Sequence, residues 1–313
     1  MFTMAKPNIV PLTRDHIASA GAVLERRHAW HRRRQSHLAI VTDFASLIDV
    51  DFDVALGVAA LEGSKVTGYL VGRPATNAFA PAIWSSANDQ AMDDPSITSD
   101  LYQGAADMWV KQGLRKHLVF VPAEDECYLP WFHLGFGASA YQAAMSLADF
   151  RDVPEASGIH VRLSDPRDLL VSARLERQLY LDLMLSPSFA SVGVDDEATY
   201  IEEWKHAWDN ELFTYFVAEV GGLVVGQLFL YRRPTGDLRI PERNIDLASV
   251  TTDPAYRGRG VGRALTVASM MWARDAGYTS MTTDWRATNL FSARYWPRFG
   301  FKPTFMRLQR TLD

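Results

Sequence analysis

The chain has 313 residues, of which 48% are hydrophobic and 22% are charged, and its formal net charge is −5. This length predicts about two domains with packed cores, and the acidic balance disfavours general binding to nucleic acid. The sequence contains no apolar run long enough to span a membrane and no apolar region of a signal peptide near its N-terminus, so we expect a cytoplasmic protein without membrane contact.

A basic cluster occupies residues 25–34, which read E-R-R-H-A-W-H-R-R-R. His28 and His31 stand three residues apart, a spacing that can hold a metal ion on a helix. The arginines around them would repel a cation, so we predict no metal site. The cluster is interpreted as a solvated helix face, with binding of an anionic ligand left open.

The single cysteine, Cys127, excludes an internal disulfide and a zinc site made of cysteines alone. Residues 124–126 are all acidic, and negative charge opposes the formation of a thiolate. We therefore predict that Cys127 is structural and is not a nucleophile.

Two halves of the chain resemble each other. Residues 131–136, W-F-H-L-G-F, return as residues 296–301, W-P-R-F-G-F, and Met108-Trp109 returns as Met271-Trp272. A hairpin predicted at residues 61–68 has its counterpart at residues 219–226. Residues 152–158 provide a linker, which predicts a first domain at residues 1–153 and a second at residues 154–313.

The second half predicts alternating strands and helices. Residues 165–168 precede a helix that ends near Leu183, and an acidic stretch from Asp195 leads into a second helix. Gly221-Gly222 indicates a tight turn. The predicted strands are residues 160–163, 214–220, 223–231, 244–252 and 280–285, and a long helix is predicted at residues 261–276.

The most informative segment lies between the strand that ends at Thr252 and the helix that follows. It contains three glycines and three arginines: Gly258, Gly260, Gly262, Arg257, Arg259 and Arg263. Glycines at a strand-to-helix turn let backbone N–H groups approach an anion, and the helix dipole adds to the attraction. The glycine spacing differs from a dinucleotide fingerprint, and no lysine is present for a Walker loop. The segment therefore predicts a pyrophosphate site.

Residues 257–262, R-G-R-G-V-G, are similar to the coenzyme A loop R/Q-x-x-G-x-G/A of the GNAT N-acetyltransferase superfamily. The elements that follow also resemble that family, since a strand leads to an Asn-led helix at Asn289 that ends in Gly300-Phe301. The resemblance covers roughly residues 158–313. In the first half, the loop aligns with residues 94–99, which contain no glycine and no cation.

The resemblance implies a fold of class α/β (α+β), with two tandem GNAT-like domains. Each is expected to be a mixed, mostly antiparallel twisted sheet flanked by helices. The first domain is interpreted as a degenerate copy that does not bind coenzyme A, and the second as the acetyl-CoA-binding catalytic domain. Acetyl-CoA is implied as the acyl donor, and no metal is expected.

The resemblance also assigns coenzyme contacts, including a backbone N–H of Val250 directed at the acetyl carbonyl. Pantetheine is expected to lie along residues 250–252 like an added strand. Trp296 occupies the position of the family's tyrosine acid, and an indole cannot supply a proton; it contacts either the coenzyme or the core, with the core favoured. The implied coenzyme-binding residues are Val250, Thr251, Thr252, Arg257, Gly258, Arg259, Gly260, Val261, Gly262, Arg263, Asn289 and Trp296.

Three residues are candidates for catalysis. Asp246 matches the family's carboxylate, which acts as a base directly or through a water; the alternative is a salt-bridged acid of the strand. Ser292 lies one turn before Trp296 and could hydrogen-bond the sulfur. Tyr295 is the nearest phenol, although one helical step from Trp296 turns it about 100° away.

The implied activity is acyl-CoA-dependent N-acyltransfer, with acetyl passed to a primary amine of a small molecule in a ternary complex. Acidic residues between Asp195 and Glu203 suggest a cationic acceptor, although a solvated helix face explains them equally well. Two alternatives stay open: a regulatory pseudoenzyme that binds acetyl-CoA, and a protein N-acetyltransferase. A homodimer also stays open.

Overall fold

The computed structural model describes residues 7–48, 51, 56–75, 81–151, 157–190, 194–208, 210–234 and 237–313. The chain forms two compact units. Unit 1 contains Met1–Gln142, Gly236–Pro241 and Pro303–Asp313, and unit 2 contains Ala143–Thr235 and Glu242–Lys302. The predicted boundary at residues 153 and 154 lies outside the described residues and stays a prediction.

The described residues form thirteen strands and seven α-helices. In chain order these are β1 (Asn8–Pro11), α1 (Ile17–Arg34), β2 (Leu56–Glu62), β3 (Lys65–Pro74), β4 (Ile83–Ser85), β5 (Gln90–Met92), α2 (Thr98–Lys111), β6 (Lys116–Pro122), α3 (Asp125–His133), β7 (Gly137–Ser146), β8 (His160–Leu163), α4 (Leu169–Met184), α5 (Glu197–Trp208), β9 (Phe213–Val220), β10 (Leu223–Tyr231), β11 (Asn244–Thr252), α6 (Val261–Asp275), β12 (Ser280–Arg286), α7 (Leu290–Tyr295) and β13 (Lys302–Thr311).

Unit 1 has the strand order β1-β2-β3-β4-β6-β13-β7, and β5 also pairs with β3. The β4–β6 pair is parallel, whereas the β1–β2, β2–β3 and β6–β13 pairs are antiparallel. Successive residues of β3 enter different apolar clusters, because side chains alternate between the two faces of a strand. Tyr69 packs with Val23 and Leu24 of α1, and Leu70 packs with Leu101 and Trp109 of α2.

Unit 2 has the strand order β12-β11-β10-β9-β8, and the end of β7 lies beside β12. The β8–β9, β9–β10 and β10–β11 pairs are antiparallel, and β11 runs parallel to β12. Helix α6 packs on one face of this sheet, whereas α4 and α5 cover the other face with an aromatic cluster around Trp204. The predicted mixed α/β class, with mostly antiparallel strands flanked by helices, is confirmed.

Each unit uses a glycine to seat a helix against a strand. A Cβ atom on Gly226 of β10 would lie 2.7 Å from Val261 Cγ1 of α6. A Cβ atom on Gly68 of β3 would lie 2.9 Å from Ile97 Cδ1, at the start of α2. Only a residue without a side chain fits at such distances. The same device therefore occurs in the two halves that resemble each other in sequence.

The basic cluster at residues 25–34 is not a uniformly solvated face, and that expectation was wrong. Arg27, His28 and His31 are buried, whereas Arg26, Arg33 and Arg34 are exposed. The cause is helical periodicity, which turns every third or fourth residue of α1 toward the sheet. Arg27 donates hydrogen bonds from its guanidinium to the backbone oxygens of Gln90 and Ala87.

Candidate active site

The glycine–arginine segment forms the turn that leads into α6. Gly258 and Gly260 adopt left-handed backbone conformations, with φ of 75° and 89°, and Gly260 directly precedes the helix. A side chain disfavours this conformation. The first turn of α6 therefore presents its free backbone N–H groups, with the positive end of the helix dipole behind them.

A cavity of about 770 Å³ opens at this turn. Its wall includes four arginines and one aspartate, so its charge favours an anionic ligand. The volume lies in the range of small-molecule and cofactor sites. The lining residues are Asp149, Phe150, Arg151, Thr252, Tyr256, Arg257, Gly258, Gly260, Val261, Gly262, Arg263, Val267, Tyr295, Arg298 and Phe299.

Arg257 is held in place from two sides. Its Nε donates a hydrogen bond to the backbone oxygen of Thr252 at 3.2 Å, and its Nη2 forms an ion pair with Asp182 of α4. Arg259 stacks over the ring of Tyr256 at 5.3 Å and is not among the residues that line the cavity. The arginine at the head of the loop motif is thus oriented before any ligand binds.

The neighbouring strand β11 separates from β12 as it approaches the loop. Their parallel pairing covers Asn244–Leu247 and Ser280–Thr283, whereas β11 continues to Thr252. Pairing with β10 extends along β11 to Thr252, with an irregularity opposite Phe229 and Leu230. In the part of the chain that the structure describes, no strand pairs with the β12 side of residues 248–252, which is the geometry an added extended segment requires.

Asp246 lies on the separated strand but is enclosed by fixed partners. It is 1% exposed. Arg233 Nη2 donates to its Oδ2 at 2.8 Å, and Thr282 Oγ1 donates to its Oδ1 at 2.7 Å. Burial raises the pKa of the Asp246 carboxyl, Arg233 opposes this rise, and Asp284 adds to it. This geometry matches the alternative interpretation, a salt-bridged acid of the strand.

The Asn-led helix brings a phenol to the cavity. The side chain of Asn289 caps α7 by accepting hydrogen bonds from the N–H groups of Phe291 and Ser292 at 3.1 and 3.2 Å. Tyr295, which sequence reasoning turned away from the site, lines the cavity, and its hydroxyl lies 2.8 Å from Thr266 Oγ1. Burial raises the pKa of Tyr295 to about 12.

Trp296 and Ser292 occupy other positions. Trp296 is buried and packs edge-to-face on Phe301 with ring centroids 5.5 Å apart, so the structure places its indole in the core. Ser292 is partly buried and is absent from the residues that line the cavity. The two neighbouring side chains do point apart, as one residue of an α-helix or of the 3₁₀ turn that begins at Trp296 requires. The wrong premise was that Trp296 faces the site, because Tyr295 is the residue that lines the cavity.

Sequence reasoning missed Glu176 of α4. Its Oε2 lies 3.4 Å from Gln227 Nε2, and burial, with a smaller effect of Glu203, raises the pKa of its carboxyl to about 7. A signal was available in the sequence, because Glu176 stands three residues after Ala173, which together with Leu169 belongs to the face of α4 that packs inward. Among the described residues, no three His, Cys, Asp or Glu side chains form a group that could hold a metal ion.

Residues 179–301, which include the loop and its cavity-lining neighbours, match the family model described as Acetyltransferase (GNAT) family. Proteins of this family generally use acetyl-CoA as their acyl donor. Asp246, Ser292 and Tyr295 fall inside the matched residues, whereas Glu176 lies just before them.

The chain is also similar to individual GNAT proteins. Human N-acetyltransferase 8B (Homo sapiens) is 30% identical over 90 residues, which are 29% of this chain and 39% of that protein. Mouse N-acetyltransferase 8 (Mus musculus) is 34% identical over 67 residues, which are 21% of this chain and 29% of that protein. The chain thus spans less than half the length of these curated relatives.

Solved structures extend the likeness to both halves. A GCN5-related N-acetyltransferase from Sphaerobacter thermophilus superposes with a TM-score of 0.59 at 13% identity, over 98% of this chain and 96% of that one. A tandem GNAT protein from the clavulanic acid biosynthesis pathway superposes with a TM-score of 0.52 at 11% identity, over 97% and 98% of the two chains. At such identities the likeness shows the fold alone. The described residues contain no helix long and apolar enough to cross a membrane.

Proposed function

We propose that the protein is an acyl-CoA-dependent N-acyltransferase that moves an acetyl group from acetyl-CoA to a primary amine of a small molecule within a ternary complex. The observation that carries this proposal is the arginine-lined cavity at the N-terminus of α6. A pyrophosphate matches both its positive charge and its free N–H groups. The separated edge of β11 leads away from this cavity and suits a pantetheine arm.

In this proposal the loop binds and the strand orients. The N–H groups after Gly260 and the side chains of Arg257 and Arg263 bind the pyrophosphate, and Arg151 and Arg298 add positive charge to the lining of the cavity. The N–H of Val250 donates to the thioester carbonyl, where negative charge grows during attack. The thioester supplies the acetyl group as an electrophile. Asn289 acts through its cap, which fixes the start of α7.

Tyr295 is proposed to hydrogen-bond the leaving sulfur and to keep its own proton. Its pKa is raised to about 12, whereas the pKa of a thiol is about 8.5. Proton transfer from the phenol to a thiolate would therefore run uphill. The donation of a hydrogen bond still stabilises the thiolate as it leaves.

Calorimetric titration with acetyl-CoA tests whether the cavity at the N-terminus of α6 binds the coenzyme. Wild-type protein is expected to bind one acetyl-CoA per chain, and Gly260→Asp is expected to abolish binding, because it adds a carboxylate where the pyrophosphate lies. Gly277→Asp is the matched control: Gly277 has φ of 87°, has open space around its Cβ position and does not line the cavity. It is expected to bind normally. If both variants lose binding, the loss reflects damage to the fold and does not support a pyrophosphate site at Gly260.

A regulatory protein that binds acetyl-CoA without turnover is the second candidate. The engagement of both Asp246 oxygens by Arg233 and Thr282 favours it, because a proton acceptor is then missing from the usual strand. An assay of free thiol release with a panel of amines separates the two. Binding without release for any amine would support the regulatory protein, and amine-dependent release would support the enzyme.

A further inference from the structure

A polar cluster lies beneath α4, on the sheet face opposite to α6. Gln227 of β10 and Thr251 of β11 are directly paired, so their side chains point to the same face. Ser249 is paired with Phe229, whose ring packs in the aromatic cluster of α4 and α5. Glu176 reaches this face from α4 and meets Gln227. We call these four residues the α4 polar cluster.

Three atoms of the α4 polar cluster are buried without a hydrogen-bond partner among the described residues: Gln227 Oε1, Ser249 Oγ and Thr251 Oγ1. Their side chains are 2%, 7% and 4% exposed. Buried polar atoms are normally paired, and three together on one face indicate a site for a hydrogen-bonding ligand or water. Thr251 and Ser249 flank Val250, whose N–H is the proposed donor to the thioester.

Glu176 is a carboxylate without a positive partner. Among the residues that the structure describes, no cation pairs with it, and Gln227 Nε2 donates a hydrogen bond to its Oε2 at 3.4 Å. The titratable groups that face it are acidic or phenolic: Glu203 and Tyr200 from α5, Tyr180 from α4 and Tyr215 from β9. Asp246 on the same strand face as Ser249 is already paired with Arg233.

We propose that Glu176 binds the ammonium group of the acceptor and takes its proton, and that the acceptor is a primary amine carried on an apolar body. This inference rests on the proposed acetyltransferase function. An ammonium ion supplies the missing positive charge. One of its three N–H groups donates to Glu176, and the other two can donate to two of the three unpaired oxygens of the α4 polar cluster. Glu176, which is partly exposed, can be reached from outside.

The apolar body is indicated by the path outward along α4. Tyr180 and Met184 follow Glu176 at intervals of one helical turn, and both are exposed. Tyr180 packs against Tyr200 of α5 with ring centroids 5.7 Å apart. The rings of Tyr180 and Tyr200 lie near the carboxylates of Glu176 and Glu203. Such a surface favours a cation attached to an apolar group over a fully polar polyamine.

The proposed step is balanced in atoms and charge. The Glu176 carboxylate accepts one proton from R–NH3⁺, and the free amine attacks the thioester carbon. A C–N bond forms, the C–S bond breaks, and the electron pair of the C–S bond leaves on sulfur. The second nitrogen proton goes to the thiolate, which gives the amide and the free thiol. Glu176 then releases its proton to water.

The pH profile of kcat/KM tests this role, with 2-phenylethylamine as the probe and ethanolamine as its polar comparison. Wild-type kcat/KM is expected to rise to a plateau with a midpoint near the Glu176 pKa of about 7. Glu176→Gln is expected to lower kcat/KM at pH 7 by about 10²-fold or more. Its rate should follow the free amine instead, rising about tenfold per pH unit beyond pH 7 without a plateau.

Two further variants separate chemistry from structure. Glu203→Gln is expected to keep the plateau and to move its midpoint to lower pH, because Glu203 raises the pKa of Glu176. Glu202→Gln is the control, since Glu202 is exposed and paired with Lys205 at 2.6 Å; it should leave the profile unchanged. If Glu176→Gln is poorly folded, two other measurements test the role of Glu176. One is the shift of the midpoint in Glu203→Gln, and the other is carboxyl NMR of the wild type, which should show Glu176 titrating near pH 7.

The outcomes distinguish the two levels of the proposal. Wild-type protein that transfers acetyl to neither amine and binds no acetyl-CoA refutes the proposed function together with the role of Glu176. An active Glu176→Gln variant with the wild-type plateau refutes the role of Glu176 alone. A preference for ethanolamine over 2-phenylethylamine refutes the apolar body of the acceptor.

Discussion

Mild acid should destabilise unit 1, because α1 buries two neutral histidines. His28 and His31 are almost fully buried. Burial, reinforced by the charge of Arg27, lowers the pKa of His28 to about 4 and that of His31 to about 3. The unfolded chain accepts these protons near a pKa of 6.5. Protons therefore favour the unfolded state, and the stability present at pH 7 is lost as pH falls below 6.5.

The size of the effect follows from linkage. Between pH 6.5 and pH 5 the unfolded state of each histidine is favoured by about 1.4 kcal/mol for each pH unit. Over this interval of about 1.5 units the loss of stability is about 2 kcal/mol per histidine. Two histidines together give about 4 kcal/mol, a large share of the 5–15 kcal/mol of a typical domain. Below pH 4 the loss from His28 ends, because the folded state also takes up its proton.

Cys127 provides an assay confined to unit 1, since it is the only cysteine of the chain. It packs against the apolar cluster of α2, and burial raises the pKa of its thiol to about 11. Its reaction with dithiodipyridine during urea unfolding reports the opening of unit 1 at both pH 7 and pH 5. The urea midpoint should fall sharply at pH 5, and His31→Leu should recover about half of the loss. Equal midpoints at the two pH values, or a pH dependence unchanged in His31→Leu, would refute the reasoning.

Three further predictions concern unit 2. Asp246→Asn should lower the free energy of unfolding by about 2 kcal/mol, because it removes the buried anion that Arg233 meets at 2.8 Å and leaves only the more distant Asp284 at 3.9 Å, while acetyl-CoA affinity measured by calorimetry stays the same; an unchanged urea midpoint would contradict the structural role. Tyr295→Phe should lower kcat less than about tenfold, the value of one hydrogen bond, and a loss of about 10³-fold in a thiol-release assay would show that the phenol gives up its proton. Gly226→Ala should cost about 1–3 kcal/mol by thermal unfolding, because the new Cβ would lie 2.7 Å from Val261; an unchanged melting temperature would show that α6 can shift.

The parts that could be predicted from sequence depend on local rules. The strands at residues 160–163, 223–231 and 244–252 were predicted with the bounds that the structure has, because alternation and glycine turns act over a few residues. The loop was predicted for the same reason, since its glycines determine the backbone and its arginines the charge. Local rules also locate Asn289, which needs only the N–H groups that follow it.

The parts that could not be predicted depend on partners distant in sequence. β13 follows α7 in the chain but pairs with β6 in unit 1, and no local pattern specifies that choice. Whether Tyr295 or Trp296 faces the cavity depends on how this segment packs, and the structure directs Trp296 into the core and Tyr295 to the cavity. The basic cluster was expected to be solvated because it is rich in charge. The helical spacing that buries Arg27, His28 and His31 was not considered.

The carboxylates of Asp246 and Glu176 show why a position in a motif does not by itself identify a proton acceptor. Asp246 stands at the family position, but Arg233 and Thr282 occupy both of its oxygens, and an amine would have to displace a fixed ion pair to reach them. Glu176 stands outside the motif, pairs with no cation in the described part of the chain, and faces unpaired oxygens beside the strand that would hold the thioester. A base must be accessible, must lack a permanent counter-ion and must ionise near the working pH. Glu176 meets all three conditions and Asp246 fails the first two, which is why we propose Glu176 of α4, and not Asp246 of β11, as the proton acceptor.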